Sequence, residues 1–287
     1  MNHVGIDVGG TKCHGVLVDE TGNVLAEVRH QTPHASELIA LLSSMFTELG
    51  GTTTVGIGVP GLISHDGIVR ASPNMRGAHN IPVGPSLRES LGISVHVEND
   101  ATVAAYGEWR AGAARGAHNA VMVTLGTGIG GGIVMGNVLQ RGAHGFAGEI
   151  GHMVVERDGI QCPCGLRGCW ERYASGSALR VLSGGMSGEE VFAAFHAGDD
   201  AARAVIDIYA EWIAIGLASL TNICDPELIV IGGGVVESFA DNLNMVSEHF
   251  SRALYSSEAR PHPLVVPAAL GERAGAVGAA LLVADSV

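Results

Sequence analysis

Asp7-Val8-Gly9-Gly10-Thr11-Lys12 and Leu125-Gly126-Thr127-Gly128-Ile129 are two turns of one kind, glycine and threonine set between apolar stretches. Glycine admits positive φ and lets a ligand approach the backbone, and successive N–H groups in such a turn form a concavity suited to an anion. Thr11 and Thr127 add hydroxyl donors, Lys12 a cation, and Asp7 a carboxylate able to hold Mg²⁺ directly or through water. Residues 4–25 and 122–139 align with a small gap, and both end in Gly-Asn-Val-Leu. A single glycine hairpin commonly binds nothing. A repeated one, with polar groups placed alike, points to a nucleotide phosphate held between two related halves.

A third acid stands in Val97-Glu98-Asn99-Asp100-Ala101, where a strand gives way to a helix. Asp100 has two readings there: a helix N-cap, or a general base that takes a hydroxyl proton as that hydroxyl attacks phosphorus. Further on, His152, Cys162, Cys164 and Cys169 form a His-x9-Cys-x-Cys-x4-Cys pattern, with Gly165 and Gly168 allowing the loop to wrap. Three thiolates and an imidazole make a closed tetrahedral Zn²⁺ site, structural because no position is left for water. An odd number of clustered cysteines in a chain expected to be cytoplasmic argues against disulfides. Cys13 and Cys224 stand apart and read as buried small apolar residues.

Glu149, three residues before His152, and Glu171, just past Cys169, would both be fixed by that loop. Glutamate is ordinarily a solvated surface acid. Tethered beside a cleft, these two read instead as ligands for a polyol. With one ring nitrogen on zinc, the other nitrogen of His152 can face a ligand hydroxyl.

Two rival phosphate motifs fit poorly. Gly126-x-Gly128-x-x-Gly131 satisfies the dinucleotide fingerprint, but that motif needs a helix directly after the turn, and residues 133–139 read as strand and turn. This leaves a nucleotide-dependent oxidoreductase as the weakest reading. The P-loop spacing is absent, and Lys12 is followed by Cys13.

The elements that must position these residues alternate along the chain. Strand patterns at 5–18, 55–59 and 95–97 are separated by helical ones at 36–49, 86–91 and 101–113. A second set has strands at 120–124, 132–135 and 228–231, helices at 189–196 and 201–221, and a helix after Glu237. The sequence therefore predicts an α/β protein of two lobes. Residues 1–114 form a small lobe, joined by a C-terminal small-residue helix within 274–287, and residues 115–273 form a large lobe carrying the zinc loop 152–169. The stretch 110–116 is a helix end and hinge. A length of 287 residues, with 47% hydrophobic content and 42 glycines, suffices for two cores.

A net charge of −13 with no basic run argues against nucleic acid as a partner. The first strand starts at once, without a signal-peptide pattern, so a cytoplasmic location is expected. The most apolar helix carries Arg203, Asp207 and Glu211, leaving an uncharged stretch short of the roughly 20 residues of a membrane span.

Taken in order, Asp7-Val8-Gly9-Gly10-Thr11-Lys12, Gly58-Val59-Pro60-Gly61, Pro73-Asn74, Glu98-Asn99-Asp100-Ala101, the turn at 125–132, Gly148-Glu149-Ile150-Gly151-His152, the cysteine loop with Trp170-Glu171, and Ile231-Gly232-Gly233-Gly234 resemble the ROK family of bacterial sugar kinases. The likeness is strongest to its zinc-containing glucokinases. It implies a two-lobed actin-like ATPase fold of the hexokinase, ribonuclease H-like type, closing over ATP, Mg²⁺ and a hexose. In that family's terms Asp100 deprotonates the 6-hydroxyl of glucose, and Asn74, Asn99, Asp100, Glu149, His152 and Glu171 bind the sugar. Asp7, Gly9, Gly10, Thr11, Lys12, Gly126, Thr127 and Gly128 hold the phosphates, and Gly232, Gly233 and Gly234 lie near adenosine. A homodimer or homotetramer is implied as well. Two departures flank the sugar pocket: Thr102 stands where the family often has asparagine, and residues 75–79 lack an aromatic often found there. The acceptor could therefore be N-acetylmannosamine, N-acetylglucosamine, fructose or mannose, and some relatives accept polyphosphate. A sugar-responsive regulator without catalysis is the rival from another class. ROK repressors carry a helix-turn-helix ahead of the first phosphate turn, for which this chain is expected to have no room.

Overall fold

The computed structural model describes residues 2–72, 75, 77–235 and 242–285. Its frame is two five-stranded sheets of identical design. The first has the order β3-β2-β1-β4-β8, from β1 (His3–Val8), β2 (Lys12–Val18), β3 (Val24–Gln31), β4 (Thr54–Val59) and β8 (Ser94–Asn99). The second has the order β11-β10-β9-β12-β13, from β9 (Ala120–Leu125), β10 (Ile129–Met135), β11 (Val138–Leu139), β12 (Leu228–Gly232) and β13 (Leu264–Pro267). In each, an antiparallel hairpin pair leads into two parallel neighbours. The sequence echo between residues 4–25 and 122–139 is thus an echo of β1-β2 in β9-β10. A small three-stranded sheet, β5 (Leu62–Ile63), β6 (Val69–Ala71) and β7 (His79–Ile81), is added to the first half.

The parallel strand β4 is buried at all six positions, as expected where helices cover both faces. On one face its core includes Leu38, Leu42 and Met45 of α1 (Leu38–Glu48) and Val83 and Leu87 of α2 (Val83–Leu91). The other face is covered by the last helix, α9 (Ala274–Ala284), whose residues 274–283 are all buried. A Cβ on Gly5 or Gly56 would run into the backbone of α9, so glycine at these strand positions is what admits the helix. Against α9 lies α3 (Asp100–Ala111), where a Cβ on Gly107 would sit 2.5 Å from Ala274 O. The pair α3 and α9 thus stands between the sheets, with Ala104, Ala105 and Ala274 packed against Met122 and Val230 of the second sheet.

Gly130–Gly132 lie inside β10, which begins three residues earlier than the sequence pattern suggests. Packing explains it. A Cβ on Gly130 would lie 2.6 Å from the Cβ of Ala101, while Gly131 meets Ile150 and Gly132 meets Ala105. These glycines serve close approach of α3 and the 150 region to the strand, not turn formation. The helices α6 (Gly188–His196) and α7 (Asp200–Cys224) fall within three residues of expectation. Part of the expected helix after Glu237 lies outside the described residues; its described part is α8 (Leu243–Ala253). An 18-residue window of α7 reaches a mean hydropathy of 1.4, although Arg203, Asp207 and Glu211 interrupt the helix. Its apolar residues are instead used internally: Ile206, Tyr209, Ile213 and Leu217 are fully buried in the second core.

Candidate active site

The two hairpin turns are built alike. In the first, Gly9 N–H donates to Lys12 O at 2.9 Å, and Thr32 Oγ1 donates to Gly9 O at 2.7 Å. Gly10, Thr11 and Lys12 are left exposed at its tip. In the second, Gly126 N–H donates to Gly128 O at 3.0 Å, and the carbonyls of Gly126 and Thr127 accept from Gly176 N–H and Ser177 Oγ at the start of α5 (Gly176–Leu182). Beside these turns opens a cleft of about 460 Å³. Asp7 and Asp100 line it with Thr124, the glycines 232–234, Glu272 and Gly275.

Asp7 lies near the end of β1, deep in this cleft. Burial, reinforced by the nearby charge of Asp100, pushes its carboxyl up to about 8. Its Oδ1 is buried without a hydrogen-bond partner among the described residues. Gly275 leaves it room, for a Cβ there would lie 2.6 Å from the Asp7 carboxyl carbon. An orphaned buried carboxylate oxygen beside a second buried acid suits a hard, oxygen-seeking cation such as Mg²⁺.

The two readings of Asp100 are separated by its neighbour. Asn99 is the N-cap of α3, its side chain accepting from Thr102 N–H at 3.0 Å. Asp100 is the first helical residue, and one carboxylate oxygen accepts from Ala101 N–H at 2.9 Å. Burial raises its pKa, which brings a carboxylate closer to the range of an effective general base.

Beyond Asp100 lies the cysteine loop. The ligand atoms of His152, Cys162, Cys164 and Cys169 all fall within 4.8 Å of one another. Cys164 and Cys169 Sγ are 3.6 Å apart, and Cys162 Sγ is 3.9 Å from His152 Nδ1. Thiolates at about 2.3 Å from a tetrahedral Zn²⁺ are roughly 3.8 Å from each other, so the cluster fits the ion. Burial and the neighbouring thiols push Cys169 up to about 12 in the absence of a metal charge. The other ring nitrogen, Nε2, lies 4.0 Å from Glu149. Burial raises the pKa of Glu149, with Asp100 and Glu171 adding to it and His152 opposing. Glu149, Asp100 and Glu171 are therefore brought to one place. Cys13 is buried as expected; Cys224 is only partly so.

A model of the ROK family matches residues 3–286. The chain belongs to the ROK family. It is 35% identical to a glucokinase of Streptomyces coelicolor, with 96% of each chain covered. It is 33% identical to the xylose repressor of Bacillus subtilis over 98% of this chain and 77% of that one. Among solved structures, a ROK family glucokinase from Streptomyces griseus in complex with glucose and AMPPNP superimposes with a TM-score of 0.89 at 35% identity, covering 99% of this chain and 100% of that one. The two-lobed, hexokinase-type α/β fold follows from that match.

Several residues of this ROK chain have occupations that its motifs do not announce. The Lys12 ammonium is paired with Glu272 at 2.8 Å, and Glu272 also meets Arg29. The Asn99 amide caps α3 and donates to Gly61 O at 3.1 Å, so half of its hydrogen-bonding capacity is used internally. Glu171 accepts from Ile129 N–H at 3.1 Å, tying the end of the cysteine loop to the second hairpin. Asn74 lies outside the described residues. The sequence reading missed Thr124, Glu272 and Gly275 in the cleft. It also missed the buried Glu98, which accepts from Asn99 N–H at 3.0 Å and pairs with Arg141. The only signal for Glu98 and Arg141 is a charge within an otherwise apolar or glycine-rich stretch.

Proposed function

We propose that this chain is an ATP-dependent hexose kinase that phosphorylates the 6-hydroxyl of glucose. The observation that carries the reading is Asp100, buried at the head of α3 in a cleft flanked by two phosphate-type hairpins and near enough to Glu149 for its charge to raise that carboxyl's pKa. The Asp100 carboxylate takes the proton of the 6-hydroxyl as that oxygen attacks the γ-phosphorus of ATP. The bond to the β-phosphate oxygen breaks, and ADP leaves. The backbone N–H groups of residues 9–12 and 126–128, with Thr11 and Thr127, cradle the phosphates, and Gly232–Gly234 border the adenosine. Mg²⁺ held at Asp7 would neutralise charge on the phosphates. Asn74, Asn99, Glu149, His152 and Glu171 bind sugar hydroxyls, their geometry set by zinc in the His152–Cys169 loop.

In this reading the small lobe is residues 1–114 with 274–287, and the large lobe is 115–273. The protein works in the cytoplasm as a homodimer or homotetramer. The similarity to glucokinases in both sequence and structure supports glucose as acceptor. The test is ADP release with ATP and Mg²⁺ against glucose, mannose, fructose, N-acetylglucosamine and N-acetylmannosamine. Turnover strongest on glucose is expected. Preference for an acetamido sugar would move the assignment to that substrate, and silence on all five would overturn it.

A further inference from the structure

Glu108 lies two turns along α3 from Asp100 and is fully buried. A glutamate in such a place is costly unless its oxygens are satisfied. Here they are satisfied by backbone from two separate segments. One oxygen accepts from Ala113 N–H at 2.7 Å and Ala269 N–H at 3.0 Å; the other accepts from Leu270 N–H at 2.7 Å. Gly112 makes room, since a Cβ there would collide with the carboxylate. Ala269 and Leu270 belong to the connection between β13 and α9. Its neighbours Ala268, Gly271 and Glu272 form a wall of the cleft, on the side of the glycines 232–234.

We infer that Glu108 is a positioning residue for the nucleotide: it pegs the 268–272 wall to the helix that begins with Asp100. The inference rests on the kinase reading given above. The peg is needed because β13 and α9 are joined by a connection whose N–H groups at 269 and 270 find their acceptors on this one side chain. With the peg in place, the nucleotide wall and the base share one rigid support, α3. Without it, the wall keeps its covalent ends, the bond from Ala268 N–H to Ile231 O at 2.9 Å, the packing of Leu270 and surface ion pairs such as Lys12 with Glu272, which are individually weak, but the N–H groups of Ala269 and Leu270 lose their acceptor. The sugar side of the cleft is carried by the zinc loop and β10, whereas the hydrogen bonds of the Glu108 carboxylate go to residues 113, 269 and 270.

The test is Glu108→Gln, which keeps shape but puts an amide donor against backbone donors. AMPPNP binding and glucose binding are titrated separately, and turnover is measured over ranges of each substrate. About a tenfold loss of AMPPNP affinity and a similar rise in KM for ATP are expected, the scale of one hydrogen bond to a charged group. Glucose affinity, KM for glucose and zinc content should stay within about twofold of the parent protein. Equal AMPPNP affinity, or parallel loss of both ligands, would overturn the inference. Should Glu108→Gln not fold, Leu270→Pro removes one donor at a residue whose φ of −86° lies near the range a proline ring imposes, and the same split is expected. A parent protein that binds AMPPNP yet phosphorylates none of the five sugars would defeat the kinase reading, while the binding titration would still decide the role of Glu108.

Discussion

Asp7 and Asp100 share the floor of one cleft, and the charge of Asp100 helps to push the buried Asp7 carboxyl up to about 8. Two acids so placed repel each other until a cation joins them. This sets the sign of a pH effect. The folded protein holds a proton on Asp7 that the unfolded chain gives up near the ordinary carboxylate value. Without Mg²⁺, that contribution to stability is full below about pH 4 and is lost as pH rises towards about 8, at up to roughly 1.4 kcal/mol per pH unit. Thermal melts in EDTA between pH 5 and 8.5 should therefore fall more steeply for the parent protein than for Asp7→Asn. Added Mg²⁺ should stabilise the parent most at the alkaline end. Parallel profiles for the two proteins would refute this.

Asp100→Asn keeps the side chain's size and leaves the Asn99 cap of α3 untouched. The fold and glucose binding should persist while kcat falls by about 10²–10⁴. Steady-state kinetics with ATP and glucose measure it, and a kcat close to the parent's would remove Asp100 as the base.

Metal analysis of the purified protein should find zinc at one per chain. Cys169→Ser should lose it, and the melting temperature should drop, because Cys169 is buried in the loop with Trp170 packed behind it. Glu149 and Glu171 then lose their common support, so KM for sugar should rise more than KM for ATP. A zinc-free parent protein with full activity would contradict the assignment.

Gly278 of α9 faces Val103 and Gly107 of α3 so closely that an added Cβ would overlap the carbonyl of Val103. Gly278→Ala should cost about 3 kcal/mol, at the upper end for overpacking, because backbone on both sides has no room to yield. Chemical denaturation reads the loss. The same change at Gly10, with nothing within 4 Å of its Cβ position, should cost far less.

Most of the residues proposed for the site were legible along the chain because they sit in local patterns. The glycine turns, the His152–Cys169 spacing and the acid opening a helix are each carried by residues close in sequence, and their repetition at 4–25 and 122–139 foretold the two matching sheets. Element boundaries came within a few residues wherever the hydrophobic period was clean, as in α6 and α7. Three matters were visible only in the folded structure. Gly130 and Gly131 fall outside the strand expected at 132–135 but are strand, because α3 and Ile150 press against them. Asp100 reads along the chain as a cap or a base, and the cap of α3 is Asn99 instead. Lys12, Glu98 and Glu108 found partners at Glu272, Arg141 and the 269–270 backbone, across separations of 260, 43 and more than 160 residues. By itself, then, the sequence determined which chemistry the chain carries and the two-fold repetition of its frame. The folded structure decided which charges meet, because pairing across such separations depends on how α3 and α9 pack between the sheets, and no local periodicity encodes that packing.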